Sequence, residues 1–470
     1  MLRTLCVCAV AAAMLAPTAA AEQFVLNQPS DSTIFSTALD QPELLAYLTR
    51  DGEVITSGGE PVIWEAFVDT GASSFAISHL HDDGDASVAD FGFLPAERLG
   101  PHSEAGIGGS EAGQIVGEFG VCLLNGSPSP GGAVDTEDFT GFGEHGLWLR
   151  NTAGVGESFL SMQDPLNVVG MPVIYGNAMV MDPTPLAAGE RMRTHLLPPG
   201  EALPTTNATF SVRLQDYSAG APASLSAREN PLLQNCALQV DGAAAVENVE
   251  LLLDTGAASS GVAWDLYRQI DPAGTSGKTF EEFLASHAGP TTVIGGIGGV
   301  KTVPIVELDE FRVTADEGFD VVWENVEFMV IDELPADLNG LFGMNLLMPS
   351  TTIDYGALAD GLGLEDTLTL LDMAELAGDD YMTELLQWVE DLLGGVGLAN
   401  RPLAMQLDPA LDLLALETSP GYFDTIIYDA REAATNRTKL RVYSDAVPEP
   451  ASLSLLLAGA VGLLARRRRR

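Results

Sequence analysis

The chain has 470 residues, room for about three domains at ~150 residues each or for a two-lobed body with extensions. Apolar residues at 46% and charged ones at 19% exclude a wholly unfolded chain. With 22 Lys+Arg against 66 Asp+Glu the net charge is −44, which excludes nucleic acid as a partner because phosphate binding needs a basic surface.

Forty-nine glycines and 27 prolines point to many turns and short strands, and so to an all-β body. At the start, Arg3, the apolar run Leu5 to Leu15 and Ala19-Ala20-Ala21 form the charged, hydrophobic and small-residue regions of a secretory signal peptide over residues 1–21. Cys6 and Cys8 leave with it. The mature chain keeps Cys122 and Cys236, too few for a disulfide framework, and whether they pair stays open.

The body repeats one pattern. Its first copy, Trp64 to Ile77, carries Asp69-Thr70-Gly71-Ala72 after an apolar run; its second, Val249 to Val262, carries Asp254-Thr255-Gly256-Ala257 in the same setting. Each reads as a buried strand, a turn, and a small-residue entry into another apolar stretch. Asp69 and Asp254 stand one lobe's length apart. A glycine-rich hairpin follows each turn, at Gly106-Ile107-Gly108-Gly109 and at Ile294-Gly295-Gly296-Ile297-Gly298-Gly299. An apolar pair and glycine come next. Val168-Val169-Gly170 and Leu341-Phe342-Gly343 follow their respective aspartates at comparable but unequal distances, so order is kept while loops vary.

Five prolines between residues 183 and 206 mark a linker, which sets the lobes at 22–182 and 207–356. The stretch Asn125 to Asn151 reads as a polar insertion in the first lobe. In the extension, 357–446, Leu385, Leu386, Val389, Leu392 and Leu393 share one helical face, and Thr425 to Tyr428 and Leu440 to Tyr443 read as late strands. His79, His81, Asp82, Asp83 and Asp85 read as a solvated acidic loop and not as a metal site. Gly277-Lys278-Thr279 lacks the glycine and strand of a phosphate loop, and neither a Gly-x-Ser-x-Gly nor a His-Glu-x-x-His motif is present.

The end, 447–470, reads Val447-Pro448-Glu449-Pro450, an apolar stretch Ala451 to Ala465, and Arg466 to Arg470. Fifteen residues cover ~22 Å as a helix, short of the ~30 Å hydrocarbon core, while the arginines hold the cytoplasmic side. A brief membrane stop suits these lengths. The segment resembles the PEP-CTERM sorting signal of Gram-negative bacteria, which implies transient membrane contact, recognition by an exosortase-type enzyme, removal of the tail and delivery to the cell surface or beyond it. Without both ends the body keeps 16 basic and 65 acidic residues, a charge of −49.

The two copies together resemble the lobes of an aspartic protease over roughly residues 60 to 356. The second is similar to the retroviral-type branch in its Ile-Gly-Gly-Ile-Gly-Gly run, while two lobes in one chain are like the pepsin branch. The first copy departs from the pattern with a shorter hairpin candidate, and neither copy shows a hairpin tyrosine. Residues 22 to 60 are acidic, unlike a pepsin-type prosegment. The resemblance implies an all-β fold of two pseudo-twofold-related lobes with a partly helical C-terminal extension, and a protein or peptide substrate held in extended form. It calls for no cofactor.

That chemistry suits the residues. Two crowded carboxylates, Asp69 and Asp254, share one proton, so the ionised one activates water while the protonated one donates to the carbonyl. Gly71 and Gly256 let the turns approach. Thr70 and Thr255 tie them together, as the resemblance implies. Ile107, Gly108 and Gly109 with Ile294 to Gly299 would form flaps over the cleft. The alternative is a surface protein that keeps the fold and uses the cleft for binding, since fold does not fix function.

Overall fold

Burial alternates along the strand Ile63–Val68, where Trp64, Ala66 and Val68 are buried and the residues between them only partly so. That pattern recurs, and strands dominate the molecule. The computed structural model describes residues 23–27, 34–38, 40–77, 91–107, 109–124, 136–150, 167–188, 191–204, 208–217, 225–240, 242–296, 299–334, 338–348, 350–354, 416–418, 423–433 and 438–444. The predicted signal peptide, the acidic loop at 79–85, the helix at 385–393 and the sorting segment lie outside these residues. No helix among the described residues is long and apolar enough to cross a membrane.

Two copies of one strand topology carry the two turns. In the first, Val168–Val169 runs parallel to Ile63–Val68 and antiparallel to Phe75–Ile77, which runs parallel to Phe139–Arg150. In the second, Gly340–Phe342 runs parallel to Val246–Leu253 and antiparallel to Gly261–Ala263, which runs parallel to Asp320–Ile331. Each copy adds a long hairpin, Arg98–Gly106 with Gly109–Leu124 and Thr291–Gly296 with Gly299–Thr314. The body is all-β.

Phe139–Arg150 corrects the reading of Asn125 to Asn151 as an insertion. Although Gly141, Gly143 and Gly146 break the apolar pattern, Leu147, Trp148 and Leu149 are buried and the strand pairs along Gly109–Leu124. It is the counterpart of Asp320–Ile331, and a core element. The first hairpin is likewise not the shorter one, its leading arm having 9 residues against 6 in the second.

Strands from both ends of the chain join the halves. Ala178–Asp182 pairs with Arg193–Leu197 and with Thr425–Asp429, which pairs with Lys439–Tyr443, which pairs in turn with Phe210–Tyr217. The stretch 183–206 thus contains a strand of this sheet. The late strands return to the body as the sequence suggested. At the other end Gln23–Asn27 lies parallel to Asp320–Ile331, and Ile34–Ala38 pairs with Ser350–Asp354. These N-terminal strands, grouped by sequence with the first lobe, pair with the second. Cys122 and Cys236 are both free thiols.

Candidate active site

Each turn is held at the end of its strand by matching backbone bonds. Asp69 N–H donates to Val169 O at 3.0 Å and Asp254 N–H to Phe342 O at 3.1 Å. Beyond the glycines, Met171 N–H donates to Ala72 O and Met344 N–H to Ala257 O, both at 2.8 Å. Gly170 and Gly343 are required here. A Cβ on Gly170 would lie 1.9 Å from Ser74 O, and one on Gly343 would lie 2.6 Å from the carbonyl carbon of Ser259.

The threonines tie the turns to one another. Thr70 Oγ1 donates to Leu253 O at 2.6 Å and accepts from Thr255 N–H at 3.1 Å, while Thr255 Oγ1 donates to Val68 O at 2.6 Å and accepts from Thr70 N–H at 3.0 Å. Both side chains are fully buried. Four bonds of ~0.5–1.5 kcal/mol each, in a site from which water is excluded, fix the relative position of the two strand ends.

This exchange sets the carboxyls face to face. A Cβ on Gly71 would lie 2.6 Å from Asp254 Cγ, and one on Gly256 would lie 2.5 Å from Asp69 Cγ, so each carboxyl rests against the opposite turn's glycine. Any side chain there would displace it. Gly71 N–H donates to Asp69 Oδ1 at 2.6 Å and Gly256 N–H to Asp254 Oδ1 at 3.0 Å. The surrounding protein desolvates both groups although each keeps some open surface. Burial pushes both carboxyls up, the charge of Asp69 pushes Asp254 up further, and backbone N–H groups at Ala72 and Ala257 pull the other way. Titration belongs to the pair.

Two further side chains, not singled out by the sequence reading, cross between the lobes. Asn230 Nδ2 donates to Thr70 O at 2.9 Å, and Gln41 Nε2 donates to Gly256 O. Nearby, Ala38 N–H donates to Ala258 O at 2.8 Å and Arg228 N–H to Ser73 O at 3.3 Å. The entry segment of each lobe thus grips the opposite turn. A signal was present: Gln41-Pro42 and Asn230-Pro231 are amide-proline pairs, each on the strand side of its own aspartate and at a similar remove from it.

Of the hairpin residues, Ile107 and Gly109 stand at the end of the first hairpin, and Ile294, Gly295, Gly296 and Gly299 at the end of the second. Gly108, Ile297 and Gly298 lie outside the described residues. The two hairpins meet. A Cβ on Gly296 would lie 2.7 Å from Ile107 Cγ2, and Ile107 packs against the second lobe's cluster of Ile294, Val303, Ile305 and Leu341. Glycine at 296 is what admits the isoleucine.

Residues 446–470 match the family model of the PEP-CTERM protein-sorting motif, which implies export and membrane-associated sorting. No curated protein matches the chain. Among solved structures the chain is similar to an aspartic proteinase from Irpex lacteus, at 11% identity and a TM-score of 0.35, over 68% of this chain and 94% of that one. At that TM-score the likeness bears on neither fold nor chemistry.

Proposed function

We propose that this chain is an exported aspartic endopeptidase that hydrolyses peptide bonds with water activated between Asp69 and Asp254. The observation that carries the reading is the reciprocal seating of each carboxyl on the opposite turn's glycine, locked by the threonine exchange. An ordinary strand-ending turn needs neither. Crowding keeps one proton on the pair, so the ionised carboxyl takes a proton from water as it attacks, and the protonated one donates to the carbonyl oxygen. As the tetrahedral intermediate collapses, the carboxyl that took water's proton passes it to the leaving amine, and a hydroxyl of the intermediate returns a proton to the other carboxylate, which restores the pair. The substrate is an extended segment lying between the hairpins and the dyad, bound through its backbone.

The lobes are proposed as about 22–182 and 207–356, with the strands near both termini fastening one to the other. In export, the apolar tail stops in the membrane, an exosortase-type enzyme removes it, and the body reaches the surface. Intact-mass analysis of surface protein checks this: a chain ending near Pro448 is expected, and recovery of the Arg466 to Arg470 peptide contradicts it. The activity itself is tested by casein digestion with purified protein, with and without a statine-type inhibitor. Inhibitor-sensitive cleavage is expected; an inactive protein that binds peptides or glycans in its cleft would be a binding module.

A further inference from the structure

The pseudo-twofold gives every residue beneath the first hairpin a counterpart beneath the second. Gly106 faces Gly109 and Gly296 faces Gly299 at the two hairpin ends, so Glu104 occupies the place of Ile294. Ala76 and Gly261 hold the same position after their aspartates and face Trp148 and Met329, which puts Arg150 in the place of Ile331. Beneath the second hairpin these positions belong to an apolar cluster of Ile294, Val303, Ile305, Met329, Ile331 and Leu341. Beneath the first, Ile115, Trp148 and Val168 keep the apolar character of Ile305, Met329 and Leu341, and the change is confined to the charged Glu104 and Arg150.

Arg150 is engaged by Glu111, with Nη2 at 2.7 Å and Nε at 3.2 Å from its carboxylate oxygens. Glu104 has no guanidinium bonded to it, and its nearest cationic group is the His102 imidazole. Ser74 Oγ, His102 Nε2, Glu104 Oε1 and Trp148 Nε1 are all buried without a hydrogen bond, the closest approach being 3.5 Å from His102 Nε2 to Glu104 Oε1. The indole N–H lies against Gly113. The other three atoms gather beside the first turn, since Ser74 stands just past Asp69-Thr70-Gly71-Ala72 and its hydroxyl acts on the Glu104 carboxyl. Burial lifts that carboxyl above its ordinary range, while Ser74, His102 and Arg150 pull it down. Polar atoms held dry and unpaired are costly, and a cation delivered to Glu104 relieves that cost. The side chains of His102 and Glu104 keep 15% and 11% exposure, so the place is not sealed.

We propose that the inner face of the first hairpin is a subsite for a lysine or arginine side chain of the substrate, with Glu104 as its counter-ion, and that the matching face of the second hairpin takes an apolar side chain. The proposal rests on the endopeptidase reading. An ammonium or guanidinium group would donate to Glu104 Oε1 and Ser74 Oγ, while Arg150 stays with Glu111. The enzyme would thus cleave between a basic and an apolar residue close on either side of the bond, a preference that twofold-identical lobes would not show.

Peptide-library cleavage by the full chain tests this, with wild type, Glu104→Gln and Glu104→Ile compared. Wild type is expected to enrich Lys and Arg at one position on one side of the scissile bond and apolar residues on the other. Glu104→Gln should lower the ratio of kcat/KM for basic over apolar peptides by about 10-fold or more, and Glu104→Ile should turn the preference aliphatic. Because the readout is a ratio within each protein, partial unfolding of a variant does not mimic it. Cleavage by wild type without a basic preference, a preference for acidic residues, or an unchanged ratio in both variants overturns the subsite alone. No cleavage of any peptide overturns the endopeptidase reading and the subsite with it.

Discussion

Around Asp69 and Asp254 the two halves agree bond for bond, from the threonine exchange to the glycine that seats the opposite carboxyl. One strand away they part company at two positions: beneath the second hairpin these hold Ile294 and Ile331, and beneath the first Glu104 and Arg150, while Met329 and its counterpart Trp148 are both buried in apolar clusters. The difference separates two demands. A reaction that needs two carboxylates sharing one proton constrains both turns alike, whereas side chains that contact opposite sides of a substrate answer to different residues and are free to diverge.

If the turns are equivalent, damage to either must be equally severe. Asp69→Asn and Asp254→Asn are each expected to lower kcat/KM by ~1,000-fold or more while circular dichroism stays unchanged, since shape is kept and only the shared proton is lost. One variant retaining activity would break the equivalence. The threonines give a smaller effect of the same symmetry. Thr70→Val strips a partner from Thr255 N–H and Leu253 O, and Thr255→Val does so for Thr70 N–H and Val68 O. Each should cost about 2–6 kcal/mol by urea denaturation, at ~1–3 kcal/mol for each of the two buried groups left unpaired. Losses differing by much more than ~1 kcal/mol would show that the exchange matters on one side only.

The smallest expected effect concerns pH. Burial raises both carboxyls, and the offsetting bonds at Ala72 and Ala257 come from backbone N–H groups, so the profile of kcat/KM should sit nearer neutrality than a dyad with hydroxyl donors would give. Activity needs one proton on the pair: it falls as acid protonates both carboxyls and falls again as base removes the last proton. A hydroxyl donated to the ionised form lowers its pKa. The double change Ala72→Ser with Ala257→Ser is therefore expected to move the acid limb to lower pH, and an unmoved or alkaline-shifted limb would mean that these positions do not tune the dyad.

What the sequence disclosed is what recurs in it. The threonine and glycine of Asp-Thr-Gly-Ala act on the opposite turn, but the motif is contiguous and its recurrence one lobe later exposed the pair and carried the two-copy topology with it. Phe139–Arg150 was hidden because its glycines leave the first part without an apolar period and its continuously buried end, Leu147-Trp148-Leu149, is too short an apolar run to mark a strand alone. The pairing of Gln23–Asn27 with Asp320–Glu324 joins the start of the body to a strand deep in the second lobe, and no local pattern encodes a partner at that distance. Gln41 and Asn230 were missed for the same reason, each amide finding its carbonyl in the other lobe. Glu104 reads on sequence as one more acidic residue among 66, and only its position opposite Ile294 in the repeat sets it apart.

The claim that two lobes make one catalytic centre is tested most directly by active-site titration. Hydrolysis of a casein peptide by purified protein would be followed as a tight-binding statine-type inhibitor is added at known ratio to chain. One inhibitor per chain should extinguish all cleavage, because the proposed mechanism has Asp69 and Asp254 serve a single water. An end point of two per chain, or cleavage that persists in excess inhibitor, would contradict it.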